Sequence, residues 1–213
     1  MAALANLVIL GAGGFGREVL AWAEQSVQVG REWKIKGFID DNIDALQGMA
    51  TPGKILGRIS DYQPASDEVF ICAIGVPAIK KKVSELIEAR GGRFGRLMHR
   101  TVVLGHNVEI SDGVVLCPFA VVSANNRLGR GVAVNLHASV DHDAKVGDWS
   151  QINCHCDLTA GVDVGQEVFF GSRVSVIPNV KIGDRAYLGA GSVVLRDVPP
   201  GFKMVGSPAR RIG

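Results

Sequence analysis

Five histidines are the side chains in this chain best suited to moving a proton near neutral pH: His99, His106, His137, His142 and His155. His142 differs from the others in lying between two carboxylates, Asp141 and Asp143. A neutral imidazole, titrating ordinarily at about pH 6.5, can take a proton from an attacking amine or hydroxyl. A carboxylate beside it would orient the ring and stabilise the imidazolium that forms. The same three residues would also be unremarkable on a solvated turn. The cysteines, Cys72, Cys117, Cys154 and Cys156, show neither a disulfide framework nor a paired zinc spacing. Cys154-His155-Cys156 alternates as a strand does, and neither cysteine has an acid–base partner in the sequence that would make it a nucleophile.

A second set of residues suits phosphate. Gly11, Gly13 and Gly16 fit G-x-G-x-x-G, between an apolar run and a helical pattern, with the acidic Asp40 further on. Such glycines let a phosphate or sugar approach the backbone at a helix N-terminus. They would equally make a tight turn and nothing more. A dehydrogenase is excluded by size, because a segment ending near residue 98 cannot complete a doubly wound sheet of six strands.

The elements that must position these groups obey two different periods. Leu7 to Leu10 reads as a buried strand, residues 17 to 25 as a helix with Val19, Leu20 and Ala23 on one face, and Lys34 to Ile39 as a second strand ending at Asp40-Asp41. Val69 to Ile74 makes a third strand, ending at Gly75. Residues 78 to 90 form a helix with Ile79, Val83, Leu86 and Ile87 on its apolar face. Strands alternating with helices imply a parallel sheet.

From about residue 101 the period is six. Every sixth residue from Leu104 through Val140, Val146 and Ile152 to Val194 is apolar, sixteen in all. In a chain that is 47% hydrophobic, chance gives such a run on the order of once in 10^5. The residue four places further on is nearly always small or β-branched, and glycine often follows the aliphatic residue, as at Gly129, Gly147 and Gly165. Each hexapeptide is one short strand plus one corner, three make a triangular coil, and stacking the coils supplies a core that no repeat has alone. His137 and His155 are one full coil apart and should stack. His137 and His142 have an H-x4-H spacing, but a zinc site would need a third histidine two coils upstream, where Thr101 stands.

A net charge of +2 gives no reason to expect nucleic acid or an anionic membrane as partner. The apolar start, Leu4 to Leu10, is too short for a membrane span and lacks a signal-peptide layout, so a cytoplasmic location is expected.

The order of these parts resembles the hexapeptide-repeat acyltransferases, and within them the bacterial sugar acetyltransferases that include the sialic acid O-acetyltransferases and the nucleotide-sugar N-acetyltransferases. The residues that carry the resemblance are the glycine turn, the Phe38-Ile39-Asp40-Asp41 strand end and the repeats. The ending adds to it, with Gly189-Ala190-Gly191-Ser192, Asp197-Val198-Pro199-Pro200-Gly201 and Val205-Gly206-Ser207-Pro208-Ala209-Arg210. The resemblance implies a small Rossmann-like α/β domain over residues 1–98 that binds a nucleotide sugar. A left-handed parallel β-helix acyltransferase domain with a C-terminal tail follows over 99–213. It implies a homotrimer using acetyl-CoA as co-substrate and no metal, with His142 as general base and Asp143 as its acidic partner. Asn135, seven residues before His142, matches the pattern, and Gln151 stands where some relatives carry a second histidine. Substrate contacts are implied for Gly11, Gly13, Gly14 and Phe15 on the sugar-phosphate side, and for Asp40 and Asp41 near the base. Gly75 and the basic stretch from Lys80 complete that set, although Val76-Pro77 departs from the polar residues that relatives carry there. Acetyl-CoA contacts are implied for Ala160, Gly161, Gly171, Ser172, Ala190 and Gly191, with Pro208 near the adenine end. The implied reaction is acetylation of the 4-amino group of a nucleotide-linked amino sugar. O-acetylation of a sialic acid and a non-catalytic scaffold that keeps the fold are the alternatives.

Overall fold

The computed structural model describes residues 3–212. The chain falls into two compact units, one ending at Arg100 and the other beginning at Thr101.

The first unit holds a three-stranded parallel sheet in the order β2-β1-β3, made of β1 (Ala5–Leu10), β2 (Trp33–Ile39) and β3 (Glu68–Cys72). β1 is central, and Leu7 to Leu10 are wholly buried, as a strand covered on both faces must be. Val8, Leu10, Ile39, Phe70, Cys72 and Ile87 form the core. Glu68 enters this unit as a buried carboxylate. It accepts from Lys36 Nζ at 2.5 Å, from the Tyr62 hydroxyl at 2.7 Å and from the Ala65 N–H at 2.9 Å.

The helices differ from expectation in two informative ways. Helix α1 is Gly14–Glu24, so the last glycines of the motif form its first turn instead of preceding it. Gly16 is there because a Cβ would lie 2.0 Å from the Gly11 carbonyl oxygen. Helix α2 is Pro77–Ala89, with proline at its start, where no N–H partner is needed. Of its expected apolar face, only Ile87 is fully buried. Ile79 is 49% exposed, while the helix buries Lys80 and Ser84 instead.

A short strand, β4 (Leu97–Met98), closes the first unit. The second unit is a parallel β-solenoid. Its sixteen two-residue strands, β5 to β20, begin at Val103–Leu104 and recur every six residues to Val193–Val194 without an insertion. They stack in three ladders, β5-β8-β11-β14-β17-β20, β6-β9-β12-β15-β18 and β7-β10-β13-β16-β19. Each residue pairs with the one a coil away, as Ser139 does with Asp157. Two final strands follow: β21 (Lys203–Val205) lies parallel to β19, and β22 (Arg210–Arg211) returns antiparallel.

From Val114 onward both the aliphatic residue and the small residue four places on are buried, as in Val140 and Ala144, whereas Leu104 in the first coil is 37% exposed. Where that small position is polar its groups are paired. Asn126 donates to the Ser123 and Val140 carbonyls and accepts from the Ala144 N–H. Glycine after the aliphatic residue answers the stacking of backbones. A Cβ on Gly147 would lie 2.5 Å from the carbonyl carbon of Gly165 in the next coil. The corners carry a feature absent from the sequence reading. At the third residue after each aliphatic, from Asn107 to Gly191, the backbone is left-handed. Eleven of these residues are not glycine. The conformation turns each corner N–H onto the preceding coil, as with Asp143 to the Ala124 oxygen at 3.0 Å and His155 to the Leu136 oxygen at 2.9 Å. Asparagine and aspartate accept this region more readily than other side chains.

Candidate active site

His142 and Asp143 sit together on the corner that follows β11 (Ser139–Val140). Asp143 has φ 61°, and its carboxylate Oδ2 lies 2.7 Å from His142 Nδ1. An ionised carboxylate only accepts, so Nδ1 carries the proton and Nε2 presents a lone pair. Hydrogen bonds from His142 and then from Asn125 hold the Asp143 carboxyl below the usual carboxylate range. Both side chains are more than half exposed in the single chain. Asn125, one coil earlier on the same corner, donates its amide N–H to Asp143 Oδ1 at 3.0 Å. One coil later come Ala160 and Gly161, whose N–H donates to the His142 carbonyl at 2.9 Å. A hollow of about 240 Å³ beside this corner is lined by Asp143, Lys145, Gly161, Asp163, Asn179 and Lys181.

The remaining residues expected at this centre stand elsewhere on the prism. Asn135 follows β10 and Gln151 opens β13, neighbouring strands of a different ladder from the one that leads to His142. Both are buried. Asn135 Oδ1 accepts from the Leu136 N–H at 2.7 Å, and the Gln151 amide donates to Asn153 Oδ1 at 3.1 Å. In the single chain both amides are thus engaged within the solenoid, on the ladder that also leads to Gly171 and Ala190.

The acyl-donor residues divide likewise. Ala160 and Gly161 share the corner of His142. Gly171 and Ser172, together with Ala190 and Gly191, follow β16 and β19 on another corner. Gly171 is required by stacking, since its Cβ would lie 2.5 Å from the Ala190 nitrogen, whereas the space around Gly191 is open. That corner also carries the expected ladder: Phe119, His137 and His155 stack at 4.9 and 5.1 Å. Pro208 lines a hollow of about 300 Å³ with Phe202, Met204, Arg196, Arg210 and Arg211. Cys156 is buried, and burial pushes its thiol up to about 11, so it is no nucleophile at neutral pH. Among the described residues, no three His, Cys, Asp or Glu side chains are grouped to hold a metal ion.

In the first unit, the loops at the carboxyl ends of the three strands converge, the usual place for a ligand in an open parallel sheet. The Gly11 N–H donates to the Ile39 oxygen, and the Ala73 N–H to the Leu10 oxygen. Asp40 ties the glycine loop to β2: its Oδ2 accepts from the Ala12 N–H at 2.7 Å and its Oδ1 from the Asn42 N–H at 2.8 Å. Two of the glycines thus have structural reasons, Gly16 and Gly11, the latter with φ 95° and Ile74 at 3.1 Å from its would-be Cβ. Gly13, Gly14 and Gly75 have none, for a Cβ at any of them would meet open space. Phe15 is half-buried and packs edge-on against Trp22.

A neighbouring hollow of about 580 Å³ is lined by Asp41, Ile59, Ser60, Ile79, Lys82, Val83 and Leu86. From α2, the exposed Ile79 faces this hollow together with Val83 and Leu86, which are partly buried and also pack against the core. Asp41 Oδ1 accepts from the Ser60 N–H at 2.9 Å. Lys80, expected on a substrate-facing basic stretch, is 1% exposed and lies near Cys72 and Ser84 inside the unit. Asn125, Ile59 and Ser60 escaped the sequence reading. Asn125 has a signal there, standing one coil before Asp143 at the same repeat position, whereas Ile59 and Ser60 sit in a loop without period.

Residues 6–87 match the PglD N-terminal domain, and residues 161–196 match six repeats of the bacterial transferase hexapeptide. The acetyltransferase domain of PglB from Neisseria gonorrhoeae FA1090, in complex with acetyl coenzyme A, superposes with a TM-score of 0.88 at 27% identity, covering 99% of this chain and 100% of that one. This chain is homologous to bacterial sugar N-acetyltransferases. PerB from Caulobacter crescentus, in complex with CoA and GDP-perosamine, gives a TM-score of 0.85 at 25% identity over 99% of both chains. GDP-perosamine N-acetyltransferase of Escherichia coli O157:H7 is 29% identical over 126 residues, 57% of this chain and 55% of that protein. The match therefore spans about half the length of that curated relative.

Proposed function

We propose that the protein transfers an acetyl group from acetyl-CoA to the 4-amino group of a nucleotide-linked amino-deoxy sugar, with His142 as general base. The observation that carries this reading is the His142–Asp143 pair, whose 2.7 Å contact leaves Nε2 free to accept a proton. His142 takes the proton of the amine as its nitrogen bonds to the thioester carbonyl carbon. The imidazolium then returns it to the sulfur as the carbon–sulfur bond breaks. Asp143 keeps the ring oriented and balances its charge during the exchange.

Open space at Gly13 and Gly14 and the start of α1 suit the sugar pyrophosphate. The hollow between Asp41, Ile59, Ile79 and Leu86 suits a planar base with a polar edge. A nucleotide site of this kind favours a nucleotide sugar over a free sialic acid. The bound ligands named for the PglB and PerB structures support both co-substrates. The two corners that carry donor contacts stand apart in one chain, so the donor runs in a groove between copies of a homotrimer. His142, Ala160 and Gly161 come from one copy, with Ser172, Ala190, Gly191 and the Pro208 hollow from the next.

The test is thiol release from acetyl-CoA with UDP-, dTDP-, GDP- and CMP-linked 4-amino sugars, and with sialic acid alongside. Turnover on one nucleotide sugar that falls about a hundredfold or more in His142→Ala is the expected result. Turnover on sialic acid alone would replace the N-acetyltransferase reading with O-acetylation.

A further inference from the structure

We propose that Asn125 is a positioning residue for His142, acting through Asp143, and that Asn107 sets the direction of the Asn125 amide. This rests on the reading of His142 as the base.

Asn107, Asn125 and Asp143 occupy the same corner of three consecutive coils, each with a left-handed backbone at φ 57°, 59° and 61°. Equal backbone conformation at equal repeat positions makes their side chains leave the prism in parallel, one coil spacing apart. The result is a directed chain of hydrogen bonds. Asn107 Nδ2 donates to Asn125 Oδ1 at 3.2 Å, Asn125 Nδ2 donates to Asp143 Oδ1 at 3.0 Å, and Asp143 Oδ2 accepts from His142 Nδ1 at 2.7 Å. The donor from Asn107 decides which end of the Asn125 amide faces Asp143. A reversed amide would set an oxygen against the carboxylate. The Asn125 donor in turn occupies the far carboxylate oxygen and holds the group where its other oxygen meets the imidazole. Without it Asp143 is free to rotate to solvent, and the ring loses the partner that selects the Nδ1–H tautomer. That tautomer leaves Nε2 as the base. The other charged groups around the neighbouring hollow are Lys145, Asp163 and Lys181. Asp141 adjoins His142 in sequence.

The experiment uses the full chain with 15N-labelled histidine, the His142 signals being assigned by their loss in His142→Ala. Asn125→Gly removes the amide yet keeps a backbone that glycine adopts freely. Asn125→Asp keeps the shape and replaces the donor by a second carboxylate. At a pH where the ring is neutral, wild type should show the Nδ1–H form, and both variants a mixture with Nε2–H. In turnover, Asn125→Gly should lower kcat by about tenfold with KM for both substrates within about twofold. Asn125→Asp should also move the acid limb of the rate profile to higher pH, because the added charge favours the imidazolium. Asn107→Gly should show a smaller loss of the same kind, and Arg185→Gly, another left-handed corner, should change nothing. An unaltered tautomer in both Asn125 variants overturns the proposal, as does unaltered kcat in a background where His142→Ala is inactive. A fully active His142→Ala would instead remove the base assignment, while the tautomer result still reports on the Asn125 contact.

Discussion

At the scale of single residues, the proposed catalysis turns on the state of one imidazole, His142. Hydrogen bonds from His142 and Asn125 hold the Asp143 carboxyl below the ordinary carboxylate range. These hydrogen bonds favour its ionised form, the one that can accept from the imidazole. The sign for stability follows. A carboxyl depressed in the folded state stabilises above its unfolded pKa, and that contribution disappears as pH falls through the folded value. The pair is exposed, so the effect belongs to activity far more than to folding. Asp143→Asn should lower kcat at least about tenfold, because the amide can donate to Nδ1, which selects the wrong tautomer, as readily as accept from Nδ1–H. Raising the pH should not restore the rate, because losing the carboxylate makes the ring easier, not harder, to keep neutral. Steady-state rates from pH 6 to 9 check this.

At the scale of elements, the glycine loop separates two jobs that its motif runs together. Gly16→Ala should prevent α1 from docking, since the new Cβ would meet the Gly11 oxygen at 2.0 Å. The expected sign is loss of soluble, folded protein. Gly14→Ala meets no atom and replaces a poor helix former. It should leave the melting temperature unchanged or slightly higher while raising KM for the nucleotide sugar, if the backbone there is approached by phosphate. A second element-level test concerns Glu68. Burial alone would raise its pKa, but hydrogen bonds from Lys36, the Ala65 N–H and Tyr62 outweigh that and hold it below the ordinary value. Its contribution is present above the unfolded carboxyl pKa and lost as pH falls through the lower folded one. Glu68→Gln should therefore cost about 2 kcal/mol at pH 7, measured by urea unfolding, and the gap from wild type should close in acid.

At the scale of the whole molecule, the proposed donor contacts lie on two different corners of the solenoid. A closed ring of identical copies places one corner of each beside the other corner of the next. The exposed Val103, Phe119 and Val121 add apolar surface that such packing would cover. Light scattering should give about three times the 22.6 kDa chain mass. The sharper measurement mixes two inactive variants, His142→Ala and Gly191→Trp. Co-refolded or co-expressed, they should regain part of the activity, because some interfaces then pair an intact His142 corner with an intact Gly191 corner. Mixtures no more active than the separate variants would mean that each chain works alone.

Periodicity determined much of this protein before any coordinates. A six-residue repeat with two inward positions admits few folds, and it placed all sixteen strands, the stacking of His137 on His155, and His142 on a corner. The alternation of strands and helices likewise placed the small parallel sheet and the glycine turn. Other features depend on neighbours far away in sequence. The burial of Lys80 and the turning of Ile79, Val83 and Leu86 toward a hollow depend on where α2 lies on its sheet, which its own apolar spacing does not specify. That Asp40 ties the glycine loop to the turn after β2 through two backbone N–H groups shows only in the folded loop. The left-handed corners have no glycine rule to announce them, since stacked backbone hydrogen bonds impose the conformation on phenylalanine, tryptophan and arginine alike. That conformation aligns Asn107, Asn125 and Asp143, and tertiary structure alone turns three separated polar residues into one support for His142.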